Sequence, residues 1–352
     1  MDVLSDAITS MRTGRPHAGR TEKHGSWGVR FPDSEGAGFH VVLQGACWVL
    51  PPDGEPLVLG PGDVVFLPHG RGYGLADGPR TPLAEFSGSL PGPFARDAVA
   101  PETTAPDAAV PDAAVPDTDV PDADGAGRAG RAGADPRPRP DTVLLCGAYL
   151  LDRLRPHPLL AELPQVLHIP ARLGRHPELR SAVELLGGEL ERPRPGASAV
   201  LTSLLDMLLL YVLRAWYEEQ SGRAGTGWAA ALHDQPVSEA LRAIHRDPAR
   251  PWTVETLGQA AGLSRAAFAR RFTALAGRSP LAYLTWWRMT LAARLLRESE
   301  LPLRAVAERS GYTSEFAFAK AFKREYGVAP GGYRRRGQES VAAPAATSLA
   351  QR

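Results

Sequence analysis

The chain has 352 residues, 43% of them hydrophobic, and sets 40 Lys and Arg against 39 Asp and Glu for a formal net charge of +1. That length supports two domains with cores of their own, and two cysteines, Cys47 and Cys146, exclude both a disulfide framework and a four-cysteine zinc site. The charge is unevenly placed, with 15 Lys and Arg against 6 Asp and Glu between Pro251 and Arg336, a net of +9 that leaves −8 elsewhere; a basic C-terminal end joined to acidic ones fits a nucleic-acid-binding region.

The opening Met1-Asp-Val-Leu-Ser-Asp lacks the basic and apolar regions of a signal peptide. Asp2 to Arg12 predicts a short amphipathic helix with Val3, Leu4, Ile8 and Met11 on one side. After a polar stretch, Trp27 to Phe31 reads as a first strand. Phe39 to Leu50 and Leu57 to Leu67 read as two more, separated by the turn Pro51-Pro-Asp-Gly54. Leu59-Gly-Pro-Gly-Asp63 punctuates the later strand, with Asp63 expected to stabilise the turn, and Pro68-His-Gly-Arg-Gly72 closes it. Short strands between Gly/Pro turns argue for a small β-barrel or sandwich.

Residues 91–140 carry a pentapeptide repeat, Pro106-Asp-Ala-Ala-Val, Pro111-Asp-Ala-Ala-Val, Pro116-Asp-Thr-Asp-Val and Pro121-Asp-Ala-Asp-Gly. Regular proline forbids a helix and the lack of aromatics leaves little to bury, so a disordered insertion is expected. Thr142 to Tyr149 reads as a strand returning to the barrel and Pro158 to Leu163 as a helical turn. Helices are expected at Pro177 to Leu190, from Pro195-Gly196-Ala197 to Glu219, and at Pro236 to Arg246. The most apolar run, Ala199 to Trp216, contains Asp206 and Arg214, which favour a buried helix over a membrane span.

Beyond Thr253 the sequence repeats itself. Ser264-Arg-Ala-Ala-Phe268-Ala269-Arg270-Arg-Phe272 is answered by Ser314-Glu-Phe-Ala-Phe318-Ala319-Lys320-Ala-Phe322. Gly277, Pro280 and Tyr283 are answered by Gly327, Pro330 and Tyr333. This is a duplicated helix-turn-helix unit. Ser264 and Ser314 suit N-caps, the paired phenylalanines at i and i+4 face inward, and the opposite faces carry small residues beside long cations. Pro280 to Glu298 reads as a single connecting helix, roughly 28 Å long at 1.5 Å per residue. Successive major-groove faces lie about 34 Å apart, so such a spacer suits two helices in adjacent grooves.

The C-terminal motifs Trp252-Thr253-Val254, Gly262-Leu263-Ser264-Arg265, Trp287-Arg288-Met289, Val306-Ala307, Gly311-Tyr312, Ala321-Phe322-Lys323-Arg324 and Gly327-Val328-Ala329-Pro330 resemble the DNA-binding domain of AraC/XylS-type transcription regulators. Gly60-Pro-Gly-Asp63, Val64 to Leu67 and Pro68-His69-Gly70 resemble the cupin-like sensor domain of a subgroup of them. Phe39 to Gly45, Leu145 to Gly147, His157 to Leu160 and Leu163-Pro164 support that second likeness.

The resemblance implies an α+β multidomain fold, an N-terminal cupin-like β-barrel with a helical extension and a C-terminal all-α double helix-turn-helix domain. Its expected divisions are a sensor at 1–90 and 141–170, the insertion at 91–140, a helical connector and dimerisation region at 171–235, a DNA-binding domain at 236–336 and a disordered tail at 337–352. It also implies a bacterial, cytoplasmic regulator, associated with the nucleoid when DNA-bound, that is a homodimer. Expected partners are double-stranded DNA, RNA polymerase, and a small-molecule effector or oxidant, with no membrane and no cofactor.

For the groove contacts, Arg270 and Lys320 are the foremost candidates, flanked by Ala266, Ala269, Glu315, Phe316 and Ala319. Arg265, Arg271, Lys323 and Arg324 are candidates on the phosphate side. Candidate effector-lining residues are His40, Gln44, Trp48, His69 and Tyr73. With only His40 and His69 near the barrel motifs, the several imidazoles and carboxylate of a metal-binding cupin are missing. A metal-dependent cupin enzyme with a DNA-binding tail is therefore the second reading. Cys47 and Cys146 are the candidates for a redox switch, against the alternative of small buried hydrophobes; neither sits in the Pro-Cys-His-Arg setting of a methyl-accepting thiol.

Overall fold

The computed structural model describes residues 2–34, 36–86, 140–151, 156–172, 174–221 and 226–342. Residues 91–139 of the expected insertion and 343–352 of the expected tail lie outside them. The N-terminal half runs α1 (Val3–Met11), β1 (His17–Lys23), β2 (Gly28–Phe31), β3 (Gly36–Gln44), β4 (Cys47–Leu50), β5 (Leu57–Leu59), β6 (Val64–Leu67), β7 (Tyr73–Ala76), β8 (Ala84–Glu85), β9 (Thr142–Leu150), α2 (Pro158–Ala161) and β10 (Leu167–Ile169). Helices follow: α3 (Pro177–Glu191), α4 (Ala197–Ser221), α5 (Trp228–His233), α6 (Gln235–Arg246), α7 (Val254–Ala260), α8 (Arg265–Ala276), α9 (Pro280–Glu298), α10 (Leu303–Arg309), α11 (Glu315–Tyr326) and α12 (Pro330–Ala342).

The strands form two five-stranded sheets, ordered β1-β9-β3-β6-β10 and β5-β4-β7-β2-β8. Their residues meet in one apolar cluster of Val42, Cys47, Leu59, Val65, Leu67, Leu75 and Leu144. The intervening residues of the first sheet, Phe39, Val41, Val64, Phe66, Leu145 and Tyr149, belong to a different cluster, shared with α1, α3 and α4. Both faces of β3, β6 and β9 are therefore covered, which is why these strands are apolar without alternation.

Leu57–Leu67 divides at the Gly60–Asp63 turn, as its punctuation predicts. Two strand boundaries differ from the sequence expectation. Phe39–Leu50 is two strands in different sheets, because Gly45, at φ +74°, turns the chain where a Cβ would run into the Asp141 carbonyl oxygen. The first strand is β1, a polar segment that takes its conformation from antiparallel pairing with β9 rather than from its own pattern. Asp63 holds its turn by accepting from the Gly60 N–H at 3.0 Å, and it also reaches β10 through the Ala171 N–H at 2.7 Å and His168 Nε2 at 3.1 Å.

Helix α4 is long and apolar enough to cross a membrane by length and composition, and its Leu204, Leu205, Leu208, Leu209, Val212 and Leu213 are buried in the chain's main apolar cluster. On the outer side, Val200 is 43% exposed, and so is 58% of Leu185 on α3. Helix α1 sits between the halves. The Asp2 side chain caps it by accepting from the Ser5 N–H at 3.0 Å. Its C-terminal end is tied to α4 by the Arg12–Asp206 ion pair and to β9 of the barrel by the Thr13 N–H bond to Leu150 O at 3.0 Å. Its buried face meets α6 and α9.

In the C-terminal half, α9 has the expected bounds. Its Tyr283, Leu284, Trp286 and Trp287 join the cluster that includes Phe268, Phe272 and the N-terminal half. Further along, Met289, Ala292, Ala293 and Leu296 join a separate cluster with Val306, Phe318 and Phe322. One helix thus carries a helix-turn-helix unit at each end. The last helix continues to Ala342, past the expected domain end at residue 336.

Candidate nucleic-acid interface and sensor cavity

The two second helices are built alike. Ser264 caps α8 by accepting from the Ala267 N–H at 3.4 Å, and Ser314 caps α11 from the Ala317 N–H at 3.3 Å. Phe268 and Phe272 pack at 5.5 Å between centroids, Phe318 and Phe322 at 5.7 Å, all fully buried. Gly277 and Gly327 end the helices in the left-handed region, their N–H groups donating to Thr273 O and Lys323 O.

With the aromatics inward, the outward faces are fixed. Arg265, Ala266 and Arg270 on α8 and Glu315, Phe316, Lys320, Lys323 and Arg324 on α11 are exposed, while Ala269 and Ala319 are half-buried between them. Phe316 stands in register with Ala266 and is 80% exposed, an unusual site for a large apolar side chain. Among the described residues, Arg265, Arg270, Lys320 and Lys323 have no side-chain ion pair, whereas Arg324 pairs with Glu325 at 3.3 Å. Arg271, expected on the phosphate side, is engaged within the chain: its Nε and a terminal nitrogen reach Asp234 Oδ2 at 2.8 and 2.5 Å. Asp234 also caps α6, so Arg271 fastens α8 to the connector. Lys323→Ala is therefore expected to lower the salt-dependence slope of DNA binding by about one, and Arg271→Ala to leave it unchanged; titrations across a salt series check both.

The barrel carries a cavity of about 910 Å³, open to the surface on one side, whose wall includes Trp27, Phe31, His40, Tyr73, Phe86 and Cys146. His40 and Tyr73 come together there, with Nε2 and the hydroxyl 2.5 Å apart, and Phe31 stacks on Tyr73 at 4.9 Å and on Phe86 at 4.8 Å. The other three expected lining residues lie elsewhere. A bulge between Val42 and Gln44 breaks the strand alternation, and the Gln44 side chain donates to Pro140 O at 2.7 Å. Trp48 alternates with the buried Cys47 and Val49 and points off the inner face. His69 is bonded to Leu163 O at 2.9 Å. Trp27, Phe31 and Phe86 were the missed wall residues; apolar aromatics in short segments carry no signal that separates a cavity wall from core.

Burial holds His40 neutral, its pKa lowered to about 3, and also lowers those of His157 and His245. Below about pH 6.5 the unfolded chain takes up protons on these rings and the folded chain does not, so stability falls with acidification until His40 itself protonates. His40 alone is expected to contribute about 2 kcal/mol of the loss between pH 6.5 and pH 5. Denaturant midpoints of the wild type and His40→Phe at both pH values check this, and equal pH sensitivity contradicts it.

Cys47 is fully buried and Cys146 turns its remaining surface to the cavity. Burial pushes both thiols up to about 12, against a weaker pull on Cys146 from Thr21 and Lys23. Such burial lowers the thiolate fraction on which reaction with an oxidant depends. Among the described residues no group of three His, Cys, Asp or Glu gathers as metal ligands would.

One group of functional interest has no precedent in the sequence reading. Asp6 of α1 faces His245 Nδ1 of α6 at 3.2 Å, and His245 Nε2 meets the Tyr283 hydroxyl of α9 at 2.7 Å. All three are buried, and His245 stacks on Trp287 at 3.9 Å. A polar Asp6 inside an otherwise apolar stripe was the available signal.

A cavity-bearing barrel joined by shared core to the first of two helix-turn-helix units, with free cations on the outward helices of both, defines a DNA-binding protein with an N-terminal barrel domain. Residues 2–218 match the family described as cupin, and residues 257–336 the helix-turn-helix domain. The chain is 34% identical over 337 residues to a Streptomyces lividans protein named as an AraC-like transcription regulator, covering 95% of this chain and 98% of that one. It is 27% identical over 338 residues to the HTH-type transcriptional regulator AlkR of Acinetobacter baylyi, covering 95% and 99%. The DNA-binding domain of AdpA, solved with a target DNA, matches at 34% identity over 30% of this chain and 95% of that domain, with a TM-score of 0.29. The chain belongs to the AraC family of DNA-binding transcription regulators and carries a cupin domain ahead of its helix-turn-helix units.

Proposed function

We propose that a small molecule held in the barrel cavity controls how α8 and α11 engage an operator. On this reading, Arg270 and Lys320 contact base edges, and Arg265, Lys323 and Arg324 contact phosphates. The observation that carries the reading is the cavity's connection to the DNA-binding end. The outer face of the cavity-bearing sheet packs on α1 and α4, and the same cluster continues through α6 to Phe272 and Trp287. The Asp6–His245–Tyr283 chain crosses that junction. A small-molecule signal is favoured over an oxidant because both thiols are held protonated.

The regulator would act in the cytoplasm on double-stranded DNA and with RNA polymerase, as a homodimer through the outward face bearing Leu185 and Val200. Sequencing the DNA that the protein retains across the genome supplies a promoter for a reporter. Ala84, exposed on the cavity wall, offers the test: Ala84→Trp is expected to fix that reporter at one level across growth conditions that shift it in the wild type. An unchanged response in Ala84→Trp rejects the barrel as the sensor.

A further inference from the structure

We infer that Phe316 is a specificity-determining residue that packs on the methyl group of a thymine in the major groove. This rests on the reading that α11 enters the groove of an operator. Phe316 is the second residue of α11 and stands one turn ahead of Lys320, so the two share an outward face. The first turn of the second helix is the part of a helix-turn-helix unit that reaches base edges. Packing within the unit does not demand a large apolar side chain there. Phe318 and Phe322 fill the core, and the equivalent place on α8 is taken by Ala266. Phe316 is instead 80% exposed.

The surroundings decide what such a ring can meet. Its exposed neighbours on α11 are Glu315, Ala317, Lys320, Lys323 and Arg324. Among the described residues the other large apolar side chains left exposed, Val58, Leu185, Val200 and Leu281, lie on β5, α3, α4 and the start of α9, and none is on the second unit. A protein partner calls for a contiguous apolar patch with few charges at its centre, and a lone ring among cations does not supply one. DNA fits both features. Phosphates match Lys320, Lys323 and Arg324, and among the groups that base pairs present in the major groove the thymine C5-methyl is the apolar one. Ala266, ending at Cβ, has less surface to lay on a methyl, so the contact belongs mainly to the half-site of α11.

Anisotropy titration of the full chain at fixed salt tests this on two duplexes, the recovered operator and the same sequence with deoxyuridine for every thymine, which keeps the pairing and lacks only the methyl. Wild type is expected to bind the deoxyuridine duplex more weakly. That loss is expected to shrink in Phe316→Ala by about fourfold for each methyl contacted, the worth of one such group taken out of water. The substitution removes an exposed side chain and leaves the core intact. Phe316→Leu, which keeps an apolar contact, is expected to retain most of the discrimination. Equal wild-type binding to both duplexes, or a loss as large in Phe316→Ala as in wild type, overturns the inference. If Lys320→Ala still weakens binding in that case, α11 stays in the groove and only the role of Phe316 falls; if Lys320→Ala has no effect either, the groove reading falls with it. Unchanged binding of Phe316→Ala to both duplexes together with an altered reporter level assigns the ring to a protein partner and likewise overturns the inference.

Discussion

Phe272→Ala is expected to destabilise the chain by about 3–5 kcal/mol, in a transition that takes the barrel with it, while Phe322→Ala, of similar cost, releases only the second helix-turn-helix unit. The two side chains occupy equivalent repeat positions and both are fully buried. Their surroundings differ. Phe272 lies in a cluster that reaches through Tyr283 and α6 to Val3 and Phe39, whereas Phe322 lies among Met289, Leu296, Val306 and Phe318. Hydrogen exchange followed along denaturant unfolding checks the difference. Equal loss of protection in barrel strands for both variants would contradict the division of the core.

Arg270→Ala is expected to weaken specific DNA binding by about 1–3 kcal/mol, the usual worth of a bidentate base contact. Lys320→Ala should cost less, because the cations of α8 are replaced on α11 by Glu315, Lys320 and a buried Ala321. On the proposed reading Glu315 would repel a phosphate backbone, and the exposed Phe316 would offer an apolar contact in its place. Anisotropy titrations on one duplex at fixed salt measure both. No loss for either variant would remove these residues from the groove.

What the sequence made legible was whatever repeats or is locally capped. The helix-turn-helix pair stood out because Ser264 and Ser314 mark the starts of α8 and α11 by local chemistry, the spacer because Pro280 opens it, and the small helix α1 because Val3, Leu4, Ile8 and Met11 share one side. The barrel was readable as a class but not in detail. β1 owes its conformation to β9, more than a hundred residues away, and no local pattern announces such pairing. For the same reason, His40 and Tyr73 were recognised as candidates while Gln44, Trp48 and His69 were misplaced, since one bulge and one turn reset which face a residue occupies. Arg271 misled because a surface arginine on a recognition helix looks free until Asp234, far along the chain, is brought beside it.

The central claim is that α8 and α11 read DNA together, held by the 19-residue α9. Hydroxyl-radical footprinting of the full chain on a recovered operator tests it most directly. Two protected patches about 10 base pairs apart on one face of the duplex are expected, with Arg270→Ala weakening one and Lys320→Ala the other. A single patch weakened by Arg270→Ala and indifferent to Lys320→Ala would contradict it.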